Sequence, residues 1–337
     1  MRIALMGAGS LGTILGAYIS KAGRQIDLID TYKEHVDALN EKGAHVVGTV
    51  DFTVPVKAYT PDQLEGVYDL VLYLVKQTYN DSAIAALKDH IHDKTIIVTF
   101  QNGLPEPALV DVFGVDRVLG APVGWGATLL GPGVSELTSH PDRLTFELGR
   151  TDGKVTPEMQ EIKEILELMC HTDILENLMG IRWTKILVNS TFSGMSACLG
   201  CTFGDVLDNE RALKCVKYIA NECIDIAAAA DIKMEPMQGF DLGKLVGFKT
   251  VEQRDANTVV YQKMFTPHRA LRASMLQDLE KGRKTEIGAI NGAVCDMGDR
   301  VGVDSPTNDT VVRIVRAIEN GELKPEMKNL DLFNLPD

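Results

Sequence analysis

Residues 182–194 read RWTKILVNSTFSG, and Lys185, Asn189 and Ser193 recur there at every fourth position among apolar neighbours. On a helix, residues four apart share one face, so these three would form a narrow polar stripe flanked by Ile186, Leu187 and Phe192. A solvated face would carry more charge than one lysine. A lysine ammonium aimed at a developing alkoxide supplies both charge stabilisation and a proton, which is what hydride addition to a ketone needs. Asn189, one turn on, can hold a substrate hydroxyl or carbonyl, and Ser193 extends that line. The bland alternative pairs Lys185 with a surface acid and uses Asn189 to satisfy a buried backbone group. Trp183 reads as packing.

A second constellation lies at the N-terminus. GAGSLG, at 7–12, has GxGxxG spacing between the apolar run RIALMG and the helical pattern SLGTILGAYISKAG. Gly7 permits the tight turn, Gly9 lets the backbone approach a pyrophosphate, and Gly12 lets the helix pack closely on the strand. The helix start then offers N–H groups to the phosphates, so Gly7, Ala8, Gly9, Ser10, Leu11 and Gly12 are read as dinucleotide contacts. Asp30 ends the next apolar run, QIDLID, where a carboxylate can accept the ribose hydroxyls of NAD and repel the extra phosphate of NADP. Lys33 is the nearest cation. LVKQTYN and FQNGLPE place Lys76 and Asn102 beyond two further runs, at the strand ends where open parallel sheets bind ligands. Against this stand a merely tight turn at GAGSLG and a solvated or capping acid at Asp30.

These residues need elements to hold them. RIALMG (2–7), QIDLID (25–30), YDLVLYLV (68–75) and KTIIVTF (94–100) are strand candidates separated by helical stretches, with Gly23 stopping the first helix. That alternation implies a parallel sheet covered by helices. Residues 120–150 look like an antiparallel or irregular extension of it. After about 155, PEMQEIKEILELMCHT, RALKCVKYIANECIDIAAAADI, HRALRASMLQDLEKG and SPTNDTVVRIVRAIENG read as helices, with little strand signal. Ser305 and Pro306 form a cap and first-turn pair for the last. The fold expected is α/β: an N-terminal Rossmann-type domain over 1–178, then an all-helical C-terminal domain over 179–337. The polar stripe would face a cleft between them.

Composition narrows the partners. A net charge of -13 with no dense basic run argues against nucleic acid and anionic membrane. No apolar stretch reaches the ~18 residues of a membrane span. MRIALMG runs straight into the glycine motif, leaving no room for a secretory signal. Six dispersed cysteines suit a reducing compartment, the cytoplasm by default. Cys198 and Cys201 form a lone CxxC without a second ligand pair, so no metal is expected.

GAGSLG, LVK at 74–76, QNG at 101–103, RWTKILVN at 182–189 and SMLQDLEKGRKTEIGAINGAV at 274–294 together resemble the 2-dehydropantoate 2-reductases, or ketopantoate reductases, over most of the chain. The last two blocks are the specific ones. The resemblance implies a two-domain enzyme that reduces ketopantoate to pantoate with NADPH, on the route to pantothenate and coenzyme A. It implies Lys185 as general acid with Glu286 as acidic partner and cofactor neighbour, and Asn189 as a substrate asparagine. Ser274 would hold the substrate carboxylate, and Asn102 would touch cofactor and substrate. Lys76 and, in GWGATLLGPG, Ala127 would touch the cofactor.

Three departures stand out. Ser193 replaces a frequent second asparagine, Asp30-Thr31 stands where an arginine is frequent, and 229–270 is longer. Asp30 leans toward NADH where the resemblance implies NADPH. The partners expected are a small 2-keto acid and, in a homodimer, a second copy of the chain. A D-2-hydroxyacid (mandelate-like) dehydrogenase stays open as another reading of the same site. A non-catalytic dinucleotide sensor would not need Lys185 together with Glu286.

Overall fold

Strand β1 (Ile3–Met6) sends Ile3 and Leu5 into one apolar core and Ala4 and Met6 into another. Both faces are covered, which is why RIALMG is an unbroken apolar run rather than an alternating one. In the computed structural model, which describes residues 1–237 and 239–336, the chain forms two units, Met1–Leu178 and Met179–Asp337.

The strands of the first unit are β1, β2 (Asp27–Ile29), β3 (Ala44–Gly48), β4 (Phe52–Val54), β5 (Lys57–Tyr59) and β6 (Tyr68–Tyr73). They continue with β7 (Ile91–Thr99), β8 (Val118–Gly120), β9 (Ala127–Gly131), β10 (Val134–Leu137), β11 (Thr145–Gly149) and β12 (His171–Leu175). Among the described residues, eight of them form one sheet in the order β12-β11-β8-β7-β6-β1-β2-β5. The run from β5 to β8 is parallel throughout. From β1 the chain goes first to β2 on one side and later to β6 on the other. The loop after β1 therefore sits at the switch point where such sheets bind ligands.

Helix α1 (Ser10–Lys21) explains its own sequence. Gly12, Thr13, Ile14, Leu15, Gly16, Ala17 and Ile19 are all buried, because the helix lies between the parallel sheet and a second, four-stranded sheet, β4-β3-β10-β9. A helix apolar on every side needs cover on every side. Gly23, at φ 82°, ends the turn that follows. The remaining helices of this unit are α2 (Lys33–Lys42), α3 (Asn80–Leu87), α4 (Glu106–Phe113) and α5 (Pro157–Leu166).

The structure differs from the sequence reading in two places here. Residues 120–150 do not simply extend the main sheet: β11 pairs antiparallel with β8 within it, whereas β9 and β10 leave it to join β3 and β4. The helix expected through 172 ends at Leu166, and His171–Leu175 becomes a strand parallel to β11.

The second unit is helical: α6 (Leu178–Val188), a π-helical turn (Asn189–Ser193), α7 (Gly194–Leu199), α8 (Phe203–Asp208) and α9 (Glu210–Ala229). There follow α10 (Leu242–Val246), α11 (Val251–Ala256), α12 (Thr258–Phe265), α13 (Ser274–Glu280), α14 (Asn291–Val301) and α15 (Pro306–Glu319). Within HRALRASMLQDLEKG the α-helix spans only Ser274–Glu280. Pro306 takes the first turn of α15 as expected, but the Ser305 side chain makes no cap. The cap is instead the half-buried Glu222 carboxylate of α9, which accepts from the N–H groups of Thr307 (2.8 Å) and Asn308 (2.9 Å) and from the Asn308 side chain (2.7 Å). A charged acceptor at a helix N-terminus outcompetes a neutral hydroxyl.

Glu222→Ala should therefore cost about 2–3 kcal/mol, since it strands several buried donors, whereas Ser305→Ala should change stability by less than about 0.5 kcal/mol. Urea unfolding of the two variants checks this. Equal losses would mean that the serine shares the cap.

Candidate active site

Between residues 180 and 199 every residue is buried except Lys185, Val188, Asn189 and Ser193, which are half-exposed. A helical segment enclosed on all other sides thus opens to solvent along the polar stripe and one valine. The enclosure has named causes. Trp183, fully buried, donates its indole N–H to the Cys223 carbonyl of α9 at 2.8 Å. Phe192 stacks on Phe265 of α12, with centroids 3.8 Å apart, and lies beside Phe203 and Tyr261. The longer segment 229–270 thereby contributes a wall behind the stripe.

The stripe is not one uninterrupted α-helix. At Asn189–Ser193 the backbone bonds from i to i−5, with the Gly194 N–H donating to the Asn189 carbonyl, so the turn holds an extra residue. Lys185 and Asn189 keep their α-helical relation, while Ser193 is offset from their line. Hydroxyls within the segment contribute to this. The Thr191 hydroxyl donates toward the carbonyls of Leu187 (2.9 Å) and Val188 (2.8 Å), and the Ser190 hydroxyl donates to Leu187 (3.2 Å). Such back-bonding loosens the regular ladder.

A distant residue completes the turn. Asn291, the buried first residue of α14, donates its amide to the Ser190 carbonyl and to Asn308 Oδ1, both at 3.0 Å. Gly194 makes room for it: a Cβ there would lie 3.1 Å from Asn291 Oδ1. Asn308 in turn bonds Glu222, so one buried polar chain links the π turn to α9, α14 and α15.

The other expected residues fall as follows. Ser274 is exposed at the first position of α13, a helix that packs on the π turn. Glu286 is buried just before a 3-10 turn, Ile287–Ala289, that leads into α14. Its neighbour Lys284 ion-pairs with Glu319, and Thr285 bonds Glu319 through both its N–H and its hydroxyl. The lone CxxC cysteines are free thiols, Cys198 buried and Cys201 half-buried.

In the first unit the glycine loop follows β1, Asp30 follows β2, Lys76 lies beyond β6 and Asn102 beyond β7: one edge of four adjacent parallel strands. The loops of Lys76 and Asn102 are tied together. Gln77 donates to the Asn102 carbonyl, and Gln101 donates to the Val75 carbonyl (2.9 Å) and to Asn80 (2.7 Å). Ala127 stands elsewhere, at the start of β9 in the second sheet.

The three glycines separate by cause. Gly7 has φ 96°, and a Cβ there would lie 2.6 Å from the Val75 nitrogen. A Cβ on Gly12 would collide with the Gly7 carbonyl. Gly9 has φ -64°, and a Cβ there would meet nothing within 4 Å. Nothing among the described residues requires glycine at 9. It is also the N-cap of α1 and provides no side-chain cap, so space and N–H groups remain for a phosphate. These residues fit a dinucleotide's pyrophosphate.

Sequence reasoning missed Asn291 and Glu222 because their partners lie 101 and 85 residues away respectively. It also missed His35 on α2, whose partners Ala8 and Gly133 lie 27 and 98 residues away. The only signal for Asn291 was an asparagine beside Gly292 inside an apolar stretch.

A parallel sheet with a glycine loop at its switch point, joined to a helical unit that bares one lysine-bearing stripe, defines a dinucleotide-dependent oxidoreductase. Two family models match, ketopantoate reductase PanE/ApbA at residues 3–151 and ketopantoate reductase PanE/ApbA C terminal at 177–319. The chain belongs to the ketopantoate reductase family, whose members reduce keto acids with NAD(P)H and act on CH–OH groups. It is 28% identical over 326 residues to the 2-dehydropantoate 2-reductase of Pyrococcus horikoshii, covering 95% of this chain and 98% of that one. It is 26% identical to that of Aquifex aeolicus, covering 96% and 99%. Among solved structures, D-mandelate dehydrogenase with NADH and anilino(oxo)acetate superposes with a TM-score of 0.82 at 23% identity, covering 96% and 99%, a likeness of fold. The 2-dehydropantoate 2-reductase of Geobacter metallireducens superposes at 0.79 with 26% identity, covering 94% and 99%.

Gly9→Val should abolish NADH binding, measured by fluorescence titration, while leaving the melting temperature within a few degrees of wild type. Gly12→Val should impair folding itself. A folded Gly9→Val protein that binds NADH normally would rule out this loop as the phosphate site.

Proposed function

We propose that the chain reduces 2-dehydropantoate to pantoate, a step toward pantothenate, with Lys185 as proton donor and NADH as preferred reductant. The observation that carries this reading is the stripe: of twenty consecutive residues, 180–199, the half-exposed ones are Lys185, Asn189, Ser193 and one valine. The dinucleotide, held at residues 7–12 with Lys76 and Asn102 on the same strand edge, supplies the hydride. As the hydride reaches the keto carbon, the carbonyl oxygen gains negative charge and Lys185 Nζ gives it a proton, yielding the alcohol. Asn189 and Ser193 hydrogen-bond the substrate's hydroxyl and carbonyl oxygens, Ser274 holds its carboxylate, and Glu286 acts as the acid that keeps the ammonium in place. Ala127, at the start of β9, is a further cofactor contact. A cytoplasmic setting is supported by six free cysteines.

Cofactor choice follows from charge. Asp30 takes the Tyr32 N–H on Oδ1 at 2.9 Å, an arrangement that leaves Oδ2 for a ribose hydroxyl. Lys33 Nζ contacts both oxygens of Asp37, at 2.8 and 2.6 Å. The Asp37 charge cancels its attraction for a 2′-phosphate, and Asp30 repels one. The second reading, an NADH-dependent reductase of aryl keto acids, is favoured by Ser193, which is smaller than the asparagine frequent there and leaves room for a bulkier substrate.

Turnover of NADH and NADPH with ketopantoate and with phenylglyoxylate separates these readings, and kcat/KM should be highest for ketopantoate with NADH. A tenfold preference for NADPH, ~1.4 kcal/mol, would overturn the role given to Asp30. Lys185→Ala should lower kcat by about 10²–10⁴-fold with NADH binding intact, and Asn189→Ala should chiefly raise KM. Near-normal kcat in Lys185→Ala would make the stripe structural.

A further inference from the structure

The glycine loop is held from behind. The Gly7 and Ala8 N–H groups both donate to the Ile29 carbonyl of β2, at 2.8 and 3.0 Å. The Ala8 carbonyl accepts the Thr13 hydroxyl at 2.7 Å and lies 2.8 Å from His35 Nε2. His35, on α2, is 1% exposed. Its other nitrogen, Nδ1, accepts the N–H of Gly133 at 2.9 Å. Gly133, at φ 77°, lies in the turn between β9 and β10 of the second sheet.

These contacts fix the ring's chemistry. Since Nδ1 accepts, the proton resides on Nε2, where it donates to Ala8, and the imidazole is neutral. They also fix a peptide plane. In a trans peptide the N–H points opposite to the carbonyl before it. Drawing the Ala8 carbonyl inward therefore turns the Gly9 N–H outward, to the side where Gly9 leaves room for a phosphate.

We propose that His35 is a positioning residue for the dinucleotide: its neutral Nε2–H tautomer, latched to the second sheet through Gly133, aims the Gly9 N–H, so that dinucleotide affinity falls when the ring takes a second proton. This rests on the reading of residues 7–12 as the phosphate loop. A proton on Nδ1 sets N–H against N–H at Gly133 and breaks the latch. Burial holds the ring below the ordinary imidazole range, against the Ala8 carbonyl and the Asp30 carboxylate, which pull it up. Asp30, from the end of β2, is the charged group acting on it, while α1 contributes Thr13, the β9–β10 turn contributes backbone, and the Tyr32 ring stacks on it at 6.2 Å. The sign follows. The unfolded chain takes up a proton near the ordinary value of ~6.5 and the native ring only below it, so loop and fold weaken together as pH falls through that range.

The test is NADH fluorescence titration of the full chain from pH 8 to 5.5, with melting curves for each variant. In His35→Gln the amide nitrogen can reach the place of Nε2, and in His35→Asn the side chain can reach only that of Nδ1. We expect the dissociation constant of His35→Asn and His35→Leu to rise by on the order of tenfold, one hydrogen bond's worth, and that of His35→Gln, which keeps the donor to Ala8 but loses the acceptor for Gly133, to rise by less. Wild-type affinity should fall as the pH drops below the ordinary imidazole range, and His35→Gln should be flat there. If His35→Leu fails to fold, the Gln–Asn contrast and the wild-type pH profile decide. Equal affinities for folded Gln and Asn variants, or a wild-type profile no steeper than that of His35→Gln, would overturn the proposal. Gly9→Val serves as control: if it binds NADH normally the loop reading itself falls, and if it alone loses NADH only the role of His35 falls.

Discussion

A buried helix can leave its regular ladder only where something else satisfies the carbonyls it releases. In the second unit that constraint is met at Ser190, whose carbonyl accepts the Asn291 amide, and at Leu187 and Val188, which take the hydroxyls of Ser190 and Thr191. Because these partners exist, the π turn at Asn189–Ser193 is held open rather than collapsing to α. The turn directs Asn189 and Ser193, and it sets Gly194 close against Asn291, where a Cβ would lie 3.1 Å from Oδ1. It also draws α9, α14 and α15 into one polar chain through Asn308 and Glu222. The aromatic wall of Phe192, Phe203, Tyr261 and Phe265 closes the opposite side. What is left open is the lysine-bearing stripe.

The first unit solves a related problem with opposite means. There Gly9 leaves open space beside the loop, and Thr13 and His35 hold the Ala8 carbonyl from behind. Four adjacent parallel strands deliver the loop, Asp30, Lys76 and Asn102 to one edge. The second sheet, which covers α1, keeps that helix dry on its outer side and supplies the Gly133 N–H to the histidine.

How much of this was legible depended on the range of the interaction. Apolar runs buried on both faces announced β1, β2, β6 and β7, and the glycine spacing announced the switch-point loop, because both are written in neighbouring residues. The stripe at Lys185 and Asn189 was visible for the same reason. The offset of Ser193 was not, since it depends on Asn291. Ser305 looked like the cap of α15 by local rule, but a carboxylate from α9 took the donors. HTDIL, at 171–175, merged with the helix before it because only pairing with β11 makes it a strand. Nothing local to β9 and β10 says which sheet they join.

The central claim is that the Lys185 ammonium delivers the proton to the substrate oxygen from this stripe. Chemical rescue of Lys185→Ala tests it most directly. Added methylamine or ethylamine can occupy the space of the missing side chain and act as the acid. Ketopantoate reduction by the variant should then rise with the concentration of the protonated amine and saturate, while the wild type is unaffected. A variant with full hydride-transfer competence and no response to any small amine would contradict the assignment and move the proton donor elsewhere.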